Sequence, residues 1–250
     1  MQGILYIAHG SRDPETIREV RNFLEPVMKK ISVPLQQLCF LELAKPDIEE
    51  GVRMLTGRGA DRIAAVPLLL LGAGHYYKDI PESLKKMKEF YPDVTFMYGA
   101  PLGVRESLVD ILIEHIDELG IRLTGEEKIM LVGRGSSHPG PKRDMEKIKR
   151  IFVEKTNYKN IELCYLGGCR PFFEERWQQV RNEESTPVMI VPYLWFTGFL
   201  LKRLKKKIAE ANQQSPRFYI TKQLGSHPNV QKVCLDRIDE VLSGMGEIID

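Results

Sequence analysis

Two histidines and one glutamate hold the chemistry open to this 250-residue sequence. His9 closes the apolar run Ile4-Leu-Tyr-Ile-Ala-His9 and is followed by Gly10-Ser11. Glu42 lies inside Phe40-Leu-Glu-Leu-Ala-Lys-Pro46. His75 follows the apolar run 63–71 and the stretch Gly72-Ala-Gly74. Two imidazoles and a carboxylate make a donor set for a divalent cation of the Fe, Co, Ni or Zn kind. The same groups accept protons near neutral pH. No His-Glu-x-x-His helix motif is present, so this is not a zincin site. The three residues sit in three separate segments, and only a fold that gathers those segments makes them a site.

The segments around them alternate between strand and helix patterns. Asp13 suits a helix cap and Pro14 a first helical position. Ile17, Val20, Leu24 and Val27 then recur at helical spacing over 14–29. A second strand is predicted over 33–43. A second helix carries Ile48, Val52 and Leu55 and closes at Gly57 and Gly59. The run 63–71 fits a strand buried on both faces of a parallel sheet. Ile80, Leu84, Met87 and Phe90 mark a third helix, 94–98 a fourth strand, and 104–116 a fourth helix. Such alternation predicts a parallel, doubly wound sheet. Ligands bind such sheets at the trailing ends of their strands. His9, Glu42 and His75 are expected at three such ends, facing one crevice.

The pattern then restarts. Ile129-Met-Leu-Val-Gly-Arg-Gly-Ser136 repeats Ile4-Leu-Tyr-Ile-Ala-His-Gly-Ser11 at an offset of 125 residues, the separation of His9 and Arg134. The same offset sets Cys39 on Cys164, Pro46 on Pro171, Glu49-Glu50 on Glu174-Glu175 and Val66-Pro67 on Val191-Pro192. The last strand of the second copy, 218–221, needs three residues fewer, a deletion of the kind loops tolerate. The expected fold is α/β: two tandem Rossmann-like domains, 1–122 and 123–250, each a four-stranded parallel sheet flanked by helices. Glycines, prolines and apolar strand residues persist between the copies. The three chemical residues do not: His9 becomes Arg134, Glu42 becomes Gly167 and His75 becomes Leu200. The first copy is therefore expected to hold the chemistry and the second to act as a lid or binding wall.

Ser11, Arg12, Lys45 and Lys78 lie just past the strand ends of the first copy, with Arg134, Lys142, Arg143 and Arg170 at the equivalent edge of the second. A cleft between such edges would be basic and would suit a ligand bearing several carboxylates or phosphates. The run Lys202-Arg-Leu-Lys-Lys-Lys207 reads mainly as the solvated face of a helix. Net charge is only +2, so the whole-protein field argues neither for nor against nucleic acid, and any basic function must come from local clusters. No apolar run reaches membrane-spanning length, and no basic segment precedes a signal-type core. Cys39, Cys164, Cys169 and Cys234 form no Cys-x-x-Cys pair, and buried thiols in a reduced cytoplasm are expected. Gly133-x-Gly135 lacks the rest of a dinucleotide fingerprint, no Walker-type loop occurs, and Ser11 and Ser136 lack a nucleophile elbow. His115 reads as structural; His138 and His227 fall in loops of the second copy and are candidates for a cleft rim.

Ala8-His-Gly-Ser-Arg12, Phe40-Leu-Glu-Leu-Ala-Lys-Pro46, Val66-Pro-Leu-Leu-Leu70 and Gly74-His-Tyr-Tyr-Lys-Asp-Ile-Pro81 together resemble the class II tetrapyrrole chelatases. Within them the chain is most similar to the bacterial two-domain sirohydrochlorin chelatases. The resemblance spans essentially the whole chain, including Gly133-Arg-Gly-Ser-Ser137 and Pro192-Tyr-Leu-Trp-Phe-Thr-Gly198. It implies ATP-independent insertion of Fe²⁺ into sirohydrochlorin to give sirohaem, with cobalt insertion toward cobalamin as the alternative. It implies His9 and His75 as metal-holding and catalytic histidines and Glu42 as their acidic partner. His9 or His75 would remove the pyrrole protons, Glu42 relaying or orienting. Ser11, Arg12, Lys45, Arg134 and Lys142 would bind the substrate. No cofactor beyond the substrate metal, no nucleic-acid or membrane partner, and a monomeric chain are expected. The ending Gly246-Glu-Ile-Ile-Asp250 lacks the His-rich and Cys segments of long cobalt-type relatives, which favours iron. A non-catalytic tetrapyrrole or metal carrier is the competing reading, and a protoporphyrin-type ferrochelatase fits the basic edges less well.

Overall fold

The computed structural model describes residues 1–121, 125–183 and 186–250. The expected join at 122/123 lies outside these described residues. Two compact units are present: Met1–Gly103 with Gln231–Asp250, and Val104–Val230.

The first unit is built on β1 (Gln2–Ala8), β2 (Leu35–Phe40), β3 (Arg62–Leu68) and β4 (Thr95–Tyr98), all parallel. Every residue of β1 from Gly3 onward is buried, as a central strand covered on both faces requires. Helices α1 (Pro14–Lys29), α2 (Ile48–Thr56) and α3 (Ile80–Phe90) connect the strands. Asp13 caps α1 by accepting the Glu15 N–H at 3.0 Å, and Pro14 takes the first helical position. Asp47 and Glu50 form a capping box on α2. The core on one face of this sheet joins Leu5, Ile7, Val52, Leu55, Ile63, Leu84 and Phe96.

The second unit carries β5 (Lys128–Gly133), β6 (Ile161–Tyr165), β7 (Val188–Tyr193) and β8 (Phe218–Ile220), with α5 (Pro139–Thr156), α6 (Phe173–Asn182) and α7 (Phe199–Asn212). Its strand order, β6-β5-β7-β8, matches β2-β1-β3-β4 of the first unit. The match extends to single hydrogen bonds. Glu42 N–H donates to His9 O at 3.1 Å, and Gly167 N–H to Arg134 O at 3.1 Å. Leu102 N–H reaches Leu69 O and Leu224 N–H reaches Leu194 O, which places the missing three residues before β8.

Two features differ from the sequence reading. The first sheet has five strands, because β9 (Glu247–Ile249) adds to β4 antiparallel, giving β2-β1-β3-β4-β9. A three-residue edge strand is too short to show a period. The compact units also depart from the repeat halves. Helix α4 (Glu106–Asp117) packs on α5 and β7 in the second unit. Most of α8 (Pro228–Leu242) belongs to the first, where Arg237 donates to Leu102 O at 3.0 Å and Val241 lies against Gly99. Periodicity reveals an apolar stripe on each helix but not which sheet the stripe covers. No described helix is long and apolar enough to cross a membrane. Cys39, Cys164 and Cys234 are buried free thiols; Cys169 is partly exposed.

His115 of α4 is structural, as its helical setting predicted. It is only 7% exposed, and its Nδ1 finds no hydrogen-bond partner. Burial holds its pKa below the ordinary value, opposed by the Glu118 charge and a hydrogen bond to the Lys222 backbone, while the charges of Lys222 and His227 add smaller depressions. A histidine depressed in the fold takes up its proton more readily when unfolded, so stability is lost as pH falls below about 6.5. His115→Leu is expected to lose less stability than the wild type between about pH 7 and pH 5. Thermal melts at the two pH values check this, and equal losses would refute it.

Candidate metal centre

The turn after β1 places the first histidine. Gly10 holds φ +95, and a Cβ there would lie 1.7 Å from the Glu42 carbonyl oxygen. Only glycine lets the two strand ends approach this closely. Gly135, φ +82, meets Gly167 O in the same way, so the turn itself is scaffold. Leu41 N–H donates to Ala8 O and Glu42 N–H to His9 O, which fixes the loop after β2 beside the end of β1. Leu43 then adopts φ +62, where the second unit has Gly168 at φ +71. A leucine held in this left-handed region costs about 1 kcal/mol. Such strain collects at functional sites.

His75 reaches the same place by another route. It lies seven residues past the end of β3 and opens a single π-turn, His75–Asp79, that runs into α3. The sequence pattern alone predicts it at the strand end. Such π-turns are rare and recur at functional sites.

These elements bring His9, Glu42 and His75 together. One donor atom from each lies within 4.8 Å of the others, the one such group of potential metal ligands found among the described residues. His9 Nδ1 is 3.6 Å from Glu42 Oε1 and 3.2 Å from Gly10 O. The two imidazole rings stand edge to face with centroids 4.8 Å apart. Donors around a tetrahedral N/O-bound cation lie about 3.4 Å apart. Modest side-chain rotations would close the set on an ion. Both histidines are partly exposed, and a cavity of about 450 Å³ opens beside His75, lined also by Leu41, Glu42, Asp79, Glu82, Ser83 and Lys86.

The remaining expected residues are placed as follows. Ser11 Oγ accepts the Asp13 N–H at 3.0 Å, and Ser136 does the same for His138, so both hydroxyls stabilise the turn. Arg12 is exposed beside that turn. Lys45 pairs with Asp47 at 2.5 Å and Glu50 at 3.1 Å, which pushes its pKa up and engages its charge locally. Arg134 and Lys142 are exposed at the strand-end edge of the second unit. His138 and His227 are helix caps: His138 accepts from Gly140 N–H and His227 from Asn229 N–H. Asp79, Glu82, Ser83 and Lys86 escaped the sequence reading. Asp79 had a signal, since it falls one turn after His75, where side chains meet.

The second unit holds the counterpart cavity, about 330 Å³, lined by Leu166, Gly167, Phe173, Leu200, Leu204 and Lys207 among others. At the shared offset, Glu42, His75, Asp79 and Glu82 have become Gly167, Leu200, Leu204 and Lys207. The pocket persists and its metal-binding chemistry does not.

Known proteins share the pattern of this chain over its whole length. The CbiX family model matches the chain twice, at residues 3–119 and 128–241. A sirohydrochlorin ferrochelatase of Priestia megaterium is 38% identical over 250 residues, covering 100% of this chain and 94% of the relative. A sirohydrochlorin cobaltochelatase of the same organism is 34% identical, covering 98% of this chain and 81% of that protein. The structure of SirB from Bacillus subtilis with Fe³⁺ superposes with a TM-score of 0.87 at 35% identity, covering 100% and 99% of the two chains. With two copies of the family pattern, full-length relatives and a donor set gathered at the strand ends of the first unit, the chain belongs to the CbiX family of class II tetrapyrrole chelatases.

Proposed function

We propose that this protein is a sirohydrochlorin ferrochelatase, inserting Fe²⁺ into sirohydrochlorin without ATP to give sirohaem. The observation that carries the proposal is the convergence of His9, Glu42 and His75 in a chain whose full-length relative is such an enzyme. Insertion exchanges one divalent cation for two pyrrole protons, so the site must hold a metal and accept protons. His9 and His75 hold the incoming ion as neutral imidazoles. As the metal passes to the macrocycle nitrogens, each freed imidazole takes one of the two pyrrole protons, with Glu42, 3.6 Å from His9, relaying the proton from His9 to solvent. Protons compete with the metal for these nitrogens, so binding weakens in acid. Arg12, Arg134 and Lys142 are proposed anchors for the macrocycle carboxylates on their charge and exposure. Ser11 and Lys45 contribute less, because both are already engaged within the fold. The chain works as a monomer, since both copies of the repeat lie on one polypeptide, and in a reducing cytoplasm, which suits its four free cysteines.

Co²⁺ insertion is the second reading, favoured by the 34% identity to a cobaltochelatase. Anaerobic assays with sirohydrochlorin and Fe²⁺, Co²⁺ or Ni²⁺ in parallel separate the two by kcat/KM. Stoichiometric binding of the macrocycle with no acceleration of any metal would show a carrier instead.

A further inference from the structure

We infer that Asp79 is a positioning residue for metal insertion, acting through His75; the inference rests on the chelatase reading above. Asp79 Oδ2 lies 2.6 Å from His75 Nδ1. A carboxylate accepts, so the proton of this bond sits on Nδ1 and the lone pair of the ring sits on Nε2. The contact therefore fixes both the tautomer and the ring orientation, and it makes Nε2 the metal-ligating atom. A charged acceptor makes this the stronger kind of hydrogen bond, so the ring is held firmly in that orientation.

Two independent features support this role over a purely structural one. Asp79 lies where the π-turn runs into α3 with helical backbone angles (φ −67, ψ −40), so no helix start needs its side chain as a cap. Its carboxylate serves His75 instead, and the turn is stabilised separately by Ser83 Oγ donating to Asp79 O at 2.7 Å. The repeat gives the second. His75 and Asp79 correspond to Leu200 and Leu204, so the pair is absent as a pair from the copy that lacks the donor set. The helix of that copy forms without either residue. The π-turn, closed by Ile80 N–H on His75 O, holds the two residues on one side of the backbone where the cavity opens.

The test uses the full chain with Co²⁺ as probe, read by visible absorption, and insertion kinetics with sirohydrochlorin. Asp79→Ala is expected to weaken Co²⁺ binding about 10- to 100-fold and to raise KM for the metal, leaving KM for the macrocycle near wild type. Asp79→Asn keeps an oxygen that accepts from Nδ1–H and loses only the charge, so it should fall between alanine and wild type. Wild-type Co²⁺ affinity in Asp79→Ala would overturn the inference. So would a rise in both KM values with no recovery in Asp79→Asn, the mark of a general structural defect. If Asp79→Ala does not fold, Asp79→Leu, the residue the second copy carries at this position, replaces it, and wild-type Co²⁺ affinity there overturns the inference. Failure of the chelatase reading looks different: the wild type itself would then insert no metal.

Discussion

His75→Ala and His9→Ala each lose at least about 100-fold in the rate of metal insertion, while far-UV circular dichroism and melting temperature stay close to wild type. The loss follows from the donor set. Removing either imidazole leaves one nitrogen and one carboxylate to hold a divalent ion, and it removes a proton acceptor from the step that needs one. Stability is spared because neither ring is part of the apolar core of its sheet. The second unit has already made the same replacements. Arg134 and Leu200 stand where the imidazoles would be, and the backbone hydrogen bonds of the turn after the first strand are unchanged around Arg134. Both rings are partly exposed, and their removal costs no more than the roughly 1 kcal/mol typical of a point substitution. Near-normal insertion by both variants would remove the two histidines from the mechanism, whatever their effect on the fold.

The candidate site was largely readable before its geometry was, and the duplication is the reason. A lone histidine after a strand has many structural explanations. Set beside Arg134, with Gly10 and Ser11 matched by Gly135 and Ser136, His9 separates from its scaffold. Its neighbour Glu42 separates in the same way from Gly167. What the pattern could not supply was local. His75 follows an apolar run and was expected at the strand end, but the chain continues for seven residues and delivers it in a π-turn. Nothing in residue order distinguishes that turn from the start of α3. Lys45 looked like a free cation, and its pairing with Asp47 and Glu50 depends on the capping box of α2. The assignment of α4 and α8 to sheets was hidden for a more general reason. An amphipathic helix states that it must be covered, and several surfaces can cover it.

If chemistry was laid over a shared frame, it should be transferable along that frame. The triple variant Arg134→His, Gly167→Glu, Leu200→His is expected to bind a second equivalent of Co²⁺, where the wild type binds one. The backbone is prepared for it. Gly167 N–H bonds Arg134 O as Glu42 N–H bonds His9 O, and a Cβ at Gly167 meets nothing within 4 Å. Gly167 and Leu200 already line one cavity, as Glu42 and His75 line theirs. The new site should be the weaker, by about 10- to 100-fold, because Leu204 leaves the introduced histidine without the carboxylate that Asp79 gives His75. Metal stoichiometry is the readout rather than turnover, since Arg134 is itself a proposed substrate anchor. A variant that folds, keeps its first metal and takes no second would show that the two frames differ where it matters. The difference would then lie in the π-turn, because α7 begins as a regular helix at Phe199 while His75 does not. Either result assigns the origin of the metal site: three side chains on a common fold, or three side chains together with the one turn that the copies do not share.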